Sequence, residues 1–185
     1  MWVVVGLGNP GRRYAETRHN VGFLFVKRVA EDWEARLRKP RFLAKTGEVR
    51  RHGERVVLAL PQTFMNESGQ AVQALRCGIP VDPANIVVVF DDVDIPLGEI
   101  RIRPDGGPGT HKGMASIVGA LGSTGFPRIR VGIGPTPEGA DIVRFVLTPF
   151  RRDERAVLED CLGRAEAALD LILAGHIDKA MNDFN

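Results

Sequence analysis

The sequence predicts an α/β fold, a three-layer sandwich in which a mixed, twisted β-sheet is flanked by helices. Three observations carry this. Short apolar runs of strand length alternate along the chain with longer stretches of helical periodicity. A β-hairpin signal and an alternating, half-exposed strand make the sheet mixed rather than purely parallel. The 185 residues, 44% of them apolar, are enough for one substantial core, so residues 1–185 are read as a single domain.

Val3-Val4-Val5 reads as a buried strand, followed by the loop Gly6-Leu7-Gly8-Asn9-Pro10-Gly11 and an irregular stretch to His19-Asn20. A helix is expected from about Asn20, with Val21, Leu24, Phe25, Val29 and Trp33 as its apolar stripe. Thr46 to Val49 and Val56 to Leu60 form a predicted hairpin turning through His52-Gly53-Glu54. Residues 61–69 are a loop entering a short helix that closes near Cys77-Gly78. Ile86 to Phe90 is a continuous apolar run, hence a central strand, expected to end in a turn through Asp91-Asp92-Val93-Asp94-Ile95-Pro96. Ile100 to Arg103 alternates as a half-exposed strand, and Pro104 to Thr110 is a Gly/Pro-rich loop ahead of a helix from about His111 to Leu121. Arg128 to Ile133 is another strand, and a helix over roughly 152–173 precedes Gly175 and a short terminal helix. There is neither an internal repeat nor a low-complexity linker.

The beginning of the chain carries neither a basic leader nor the apolar core of a signal peptide, and no apolar run approaches the roughly 18 residues of a membrane span. A cytoplasmic location is the expectation. Cys77 and Cys161 have neither metal-ligand nor disulfide spacing and are read as buried free thiols. The net charge of +2 is unevenly spread. Residues 1–55 hold thirteen Lys/Arg against six Asp/Glu, whereas residues 138–183 hold six against ten. A basic face fits a polyanion such as nucleic acid and fits solvated helix faces equally well.

Gly6-x-Gly8-x-x-Gly11 matches the dinucleotide-binding pattern in spacing, but Pro10 precedes the last glycine, Arg12-Arg13-Tyr14 does not open a periodic helix, and no acidic residue ends a second strand some twenty positions on. A glycine-rich turn is the better reading. Polar residues are more informative. Asn9, His19 and Asn20 lie in the first loop, Asn66 in the second, and Asp91 at the end of a central strand, where open α/β sheets gather their sites. If they converge, His19 can take a proton from water while Asp91 fixes the other ring nitrogen, and the amides of Asn9 and Asn66 can donate to a carbonyl or developing oxyanion. Residue by residue, a capping histidine and turn-forming aspartates account for the same pattern. Asp91, Asp92 and Asp94 are also a possible Mg²⁺ chelate, though no second carboxylate cluster completes it. His52 and His176 read as surface residues.

Two longer blocks, Gly8-Asn9-Pro10-Gly11-x-x-Tyr14-x-x-Thr17-Arg18-His19-Asn20-x-Gly22 and Pro61-x-Thr63-Phe64-Met65-Asn66-x-Ser68-Gly69, resemble signature segments of the bacterial peptidyl-tRNA hydrolase family. Asp91-Asp92-Val93-Asp94, the glycine-rich loop before His111, and Arg130-x-Gly132-Ile133-Gly134 are similar to that family in order and spacing. Five ordered blocks spread over residues 3–183 are far harder to match by chance than one short pattern.

The resemblance implies a phosphorylase/hydrolase-like sandwich and an esterase that splits the bond between a peptide and the 3′-terminal ribose of tRNA, recycling peptidyl-tRNA lost from ribosomes. It implies no metal and no organic cofactor. His19 would be the catalytic base and Asp91 its partner, with Asn9 and Asn66 placing the ester or the attacking water and Tyr14 and Met65 lining the site near the 3′ end. Arg103 and Arg130 match positions that hold the acceptor-stem 5′ phosphate, a task suited to guanidiniums with paired donors. Solvent-facing strand arginines would alternate with Ile102 and Ile129 in the same way. Where many members read His-Asn-Gly, this chain has His111-Lys112-Gly113, so an amide is replaced by a cation that only donates. Lys112 is expected either to touch substrate or to be a solvated loop lysine. The expected partner is peptidyl-tRNA, with no membrane and no obligate protein partner, and the chain is expected to act as a monomer.

Overall fold

The structure is a computed structural model that describes residues 1–38 and 40–185. Its centre is a six-stranded sheet of β1 (Trp2–Gly6), β2 (Ala44–Arg51), β3 (Glu54–Pro61), β4 (Ile86–Pro96), β5 (Ile100–Arg103) and β6 (Arg128–Gly134), in the order β2-β3-β1-β4-β6-β5. The inner pairs β3/β1, β1/β4 and β4/β6 are parallel, and the outer pairs β2/β3 and β5/β6 are antiparallel, which makes the sheet mixed as expected. The hairpin turn is His52-Gly53 alone, because both residues adopt positive φ, 50° and 76°, the twist that joins two strands through two residues. Both hairpin strands are consequently longer than their apolar cores, and the polar ends pair Arg50 with Arg55 and Arg51 with Glu54.

Helices α1 (Val21–Asp32), α5 (Arg155–Leu173) and α6 (Ile177–Phe184) cover one face of the sheet, and α2 (Ser68–Gly78) and α3 (Lys112–Leu121) cover the other. Two apolar layers result. Val4, Leu58, Val87, Val89, Ile129 and Val131 point to the first face, while Val3, Val5, Val57, Val88 and Phe90 point to the second. This is the period-2 alternation of a sheet covered on both sides. Helix α1 buries Phe23 and Val26 as well as Val21, Phe25 and Val29, so its buried surface is wider than the stripe read from spacing. Contact between β1 and α1 is close enough to exclude side chains: a Cβ on Gly6 would strike the Gly22 carbonyl, and one on Gly22 would strike the backbone of Leu7 and Val89. The glycines of the first loop therefore serve helix-on-strand packing, and Gly8 lies against the Phe23 ring.

Two expectations need correction, and one element was not anticipated. Strand β4 does not turn at Asp91 but runs on to Pro96, because Asp91 and Asp92 pair with Val131 and Gly132 of β6 before the register shifts between Asp92 and Pro96. A further short helix, α4 (Ile142–Val146), lies in a segment that periodicity did not mark, and it is opened by the Asp141 carboxylate accepting from the N–H groups of Val143 and Arg144. Of the two thiols only Cys161 is buried. Cys77 is exposed, since α2 turns Ala71, Val72 and Leu75 inward and leaves position 77 off that face. None of the helices is long and apolar enough to cross a membrane, among the described residues.

Burial pushes the Cys161 thiol up to about 11, so its thiolate is scarce at neutral pH as well as shielded. In the native protein a thiol-specific reagent is expected to modify one cysteine, Cys77, and to reach the second only in denaturant. Two equivalents of rapid native reaction would contradict this packing.

Candidate active site

The C-terminal ends of β1, β3 and β4 converge on a cleft of about 970 Å³. Parallel strands deliver their following loops to one edge of the sheet, which is why residues distant in sequence meet there. His19 comes from the 3₁₀ turn Arg18–Asn20 that follows the β1 loop and leads into α1, Met65 and Asn66 from the turn Met65–Glu67 after β3, and Asp91 from β4 itself.

Asp91 is the buried centre, with a relative exposure of 3%. Its carboxylate accepts from His19, whose Nδ1 lies 2.9 and 3.0 Å from the two oxygens, and Oδ1 also lies 3.0 Å from Nε2 of His111. The two rings stand 5.2 Å apart, and His111 packs against Phe90 at 4.9 Å. Burial by itself would raise the Asp91 carboxyl, but its interactions with His111, then with His19, overcome that and hold the group below the ordinary carboxylate range. With Nδ1 committed to Asp91, Nε2 is the ring nitrogen of His19 left to face the cleft, the tautomer needed to accept a proton from water. His111 is fixed at its other end too, because Nδ1 caps α3 by accepting from the Met114 N–H at 3.2 Å.

The amides divide into a buried brace and an exposed rim. The side chain of Asn20 accepts from the Asn9 N–H at 2.8 Å and donates to the Asn9 carbonyl at 2.9 Å, and the Asn9 side-chain oxygen accepts from the Met65 N–H at 2.8 Å. Asn9 thus ties the first loop to the second and presents its NH₂ end as the donor still available to the cleft. Asn66, next in sequence, is exposed and lines the same cleft.

Arg103, Arg130 and Lys112 also line the cleft. In the β5/β6 register Arg101, Arg103, Arg128 and Arg130 share one face of the sheet, opposite Ile100, Ile102 and Ile129. Their surroundings differ. Arg103 is exposed, Arg130 donates from Nε to Asp92 at 2.7 Å, and Arg128 is buried, giving its guanidinium to the carbonyls of Gly106, Gly107, Thr124 and Phe126. Arg128 is therefore an anchor for the glycine-rich loop that carries His111 and Lys112. The three aspartates of the β4 end do not form one chelate: Asp91 faces the imidazoles, Asp92 takes Arg130, and Asp94 is exposed. His19, Asp91 and His111 are the group whose ligand atoms lie close enough together for a metal among the described residues, and here they satisfy one another as hydrogen-bond partners.

Of the residues singled out by sequence, the cleft gathers Asn9, His19, Met65, Asn66, Asp91, Arg103, Lys112 and Arg130. Tyr14 is not among its lining residues: it is half-buried beneath the Arg13 guanidinium, 4.5 Å from the ring centre. Sequence reasoning assigned no role to His111, to Arg128 or to the apolar wall of Ile142, Val143, Val146 and Leu147. A histidine at a helix start directly after a glycine-rich loop was a signal for the first. The other two had none, since a strand arginine and a five-residue helix look ordinary in one dimension.

A histidine oriented by a buried carboxylate, facing an open cleft beside neutral amide donors, defines an α/β enzyme of the hydrolase class. The chain matches the family described as peptidyl-tRNA hydrolase over residues 3–185. It is 50% identical to the peptidyl-tRNA hydrolase of Chloroflexus aurantiacus, over 100% of this chain and 99% of that one, and 43% identical to that of Alkaliphilus metalliredigens over the full length of both. The crystal structure of peptidyl-tRNA hydrolase from Acinetobacter baumannii superposes with a TM-score of 0.92 at 34% identity, covering 98% of this chain and 93% of the other. The chain belongs to the peptidyl-tRNA hydrolase family.

Asn9→Ala leaves the buried Met65 N–H without an acceptor, a loss of about 1–3 kcal/mol for an unsatisfied buried group. Urea unfolding of this variant is expected to show that decrease alongside impaired turnover. Unchanged stability would mean that the first and second loops are not joined through Asn9.

Proposed function

We propose that the reaction of this family, hydrolysis of the ester between a peptide and the 3′-terminal ribose of tRNA, runs in this chain with His19 as general base and Asp91 as the carboxylate that orients it. The observation that carries the reading is the pair of contacts from His19 Nδ1 to the buried Asp91 carboxylate, which leaves Nε2 toward the cleft. Water is deprotonated by Nε2 as it attacks the ester carbonyl. The Asn9 and Asn66 amides donate to the carbonyl oxygen as its charge grows, the imidazolium is stabilised by Asp91, and the proton passes to the departing ribose oxygen. His111 holds Asp91 from the other side, so the carboxylate keeps its position while His19 changes charge.

Substrate parts are assigned to three regions of the cleft. The wall formed by Ile142, Val143 and Leu147, with Phe64 beyond it, exposes apolar surface inside the cleft and suits the peptide. Met65 supports the 3′ end beside the amides. Arg103 and Arg130 take the 5′ phosphate, with Asp92 holding the Nε edge of Arg130 so that its outer nitrogens remain presented. Lys112, at the first position of α3, sits where a helix N-terminus disfavours a cation and favours an anion, an arrangement that a substrate phosphate or carbonyl beside the ammonium would relieve. The chain functions as one domain and one monomer in the cytoplasm, serving peptidyl-tRNA released from ribosomes.

With an N-blocked aminoacyl-tRNA under single-turnover conditions, His19→Ala is expected to abolish cleavage while tRNA affinity is retained. Asp91→Asn should lower kcat about ten- to a thousand-fold, since the amide keeps a hydrogen bond but not the charge. Wild-type rates in the His19 variant would remove it from the chemistry.

Binding of deacylated tRNA provides a separate check. Arg103→Ala and Arg130→Ala should each flatten the salt dependence by roughly one counterion per lost phosphate contact. Lys112→Ala should raise KM with little change in kcat, and Lys112→Asn should recover much of the loss. A wild-type salt slope in both arginine variants would remove the phosphate assignment, and an unchanged KM in Lys112→Ala at two salt concentrations would leave that lysine in solvent.

A further inference from the structure

Arg18 immediately precedes His19, yet its side chain is buried away from the cleft and ion-paired with a residue 136 positions distant. Nη2 donates to both oxygens of Glu154, at 3.0 and 2.8 Å, and the guanidinium carbon lies 4.8 Å from the centre of the Phe145 ring and 5.0 Å from that of Phe150. Nε and Nη1 are buried without an oxygen partner among the described residues. A guanidinium sunk this deeply with two nitrogens unanswered is costly, and the two rings are the compensation the site provides. Backbone contacts reinforce the junction. The Arg18 N–H donates to the Thr148 carbonyl at 3.0 Å, the Phe150 N–H to the Glu16 carbonyl at 3.3 Å, and Thr17 bridges Pro149.

The segment fastened here is the continuation of the apolar cleft wall. Phe145 lies within α4, whose Ile142 and Val143 are 55% and 57% exposed and line the cleft with Val146 and Leu147. The same guanidinium is therefore one residue from the base in the chain and in contact with the helix against which the peptide lies. Helix α4 is only five residues long, so tertiary contacts must place it, and this junction joins the buried Val146 in doing so.

We propose that Arg18 is a positioning residue that locks the α4 wall to the turn carrying His19, so that a peptide seated on α4 holds the base in line with the ester. This rests on the reading of His19 as base and of α4 as the peptide's wall. Longer apolar peptides then gain in kcat and not only in KM, because their contact with α4 is transmitted to the base.

The experiment compares two substrates on one tRNA, an N-acetylated single amino acid and an N-acetylated apolar tripeptide, under single-turnover and steady-state conditions. The wild type is expected to cleave the tripeptide form with the higher kcat. Arg18→Lys keeps the charge but loses the fork and the planar stacking surface, and is expected to lose about 2- to 30-fold more kcat on the tripeptide than on the single residue, with unchanged affinity for deacylated tRNA. Glu154→Gln keeps volume and one acceptor oxygen, should fold even if Arg18→Lys does not, and should shift in the same direction by less. The effects of Val143→Ala and Arg18→Lys on the tripeptide should be non-additive. Equal proportional losses on both substrates, or additivity with Val143→Ala, would reduce Arg18 to a stabilising residue and overturn the proposal. A wild type with equal kcat for both would overturn the α4 premise while leaving the esterase reading intact, and a wild type cleaving neither would overturn the esterase reading itself.

Discussion

The site is organised around a buried carboxylate that has to stay charged. Asp91 is buried, which pushes its carboxyl up, and two imidazoles directed at it from different parts of the chain pull it back down. His19 arrives from the loop after β1 and His111 from the glycine-rich loop after β5. Both loops must be held closely for the hydrogen bonds to form, so the demands of one charge spread outward into the packing of each.

For the first loop, that demand appears as backbone contact without side chains. Gly6 and Gly22 allow the start of α1 to sit directly on the end of β1, and the reciprocal Asn9–Asn20 amide bonds brace the turn that follows. For the second, Arg128 gathers the carbonyls of the glycine-rich loop, and His111 caps α3 with the nitrogen not directed at Asp91. One residue type, histidine, thus serves a structural end and an electrostatic end at once. The cleft between these loops has an arginine edge at Arg103 and Arg130 and an apolar wall at α4. Arg18 links the wall to the turn that carries His19 through a buried junction outside the cleft.

The order of strands and helices was legible in the sequence because burial on both faces of a sheet imposes continuous apolar runs, and burial of one helix face imposes periodicity; Val3–Val5, Ile86–Phe90 and α1 follow those rules. His19, Asp91, Asn9 and Asn66 were legible as a polar set near strand ends, and their resemblance to a known family gave that set its meaning. The extension of β4 through Asp91 was not legible, because a run of aspartates has turn propensity and only pairing with β6 keeps it extended. The side of Tyr14 and the exposure of Cys77 depend on which face each turn or helix presents, and a single position does not carry that information.

By itself the sequence determined the class of fold and the family, and it singled out His19, Asp91, Asn9 and Asn66 as a set to look for, since these reside in residue type, periodicity and ordered spacing. The tertiary structure alone decided that Asp91 answers to two histidines, that Arg128 turns inward while Arg103 and Arg130 face the cleft, and that Arg18 belongs to α4 rather than to the substrate. The physical reason is common to all three. A buried charge is satisfied by whichever partner the packing brings within about 3 Å: for Asp91 and Arg18 those partners lie 20 to 136 residues away along the chain, and Arg128 reaches 22 residues back to Gly106 as well as to its near neighbours.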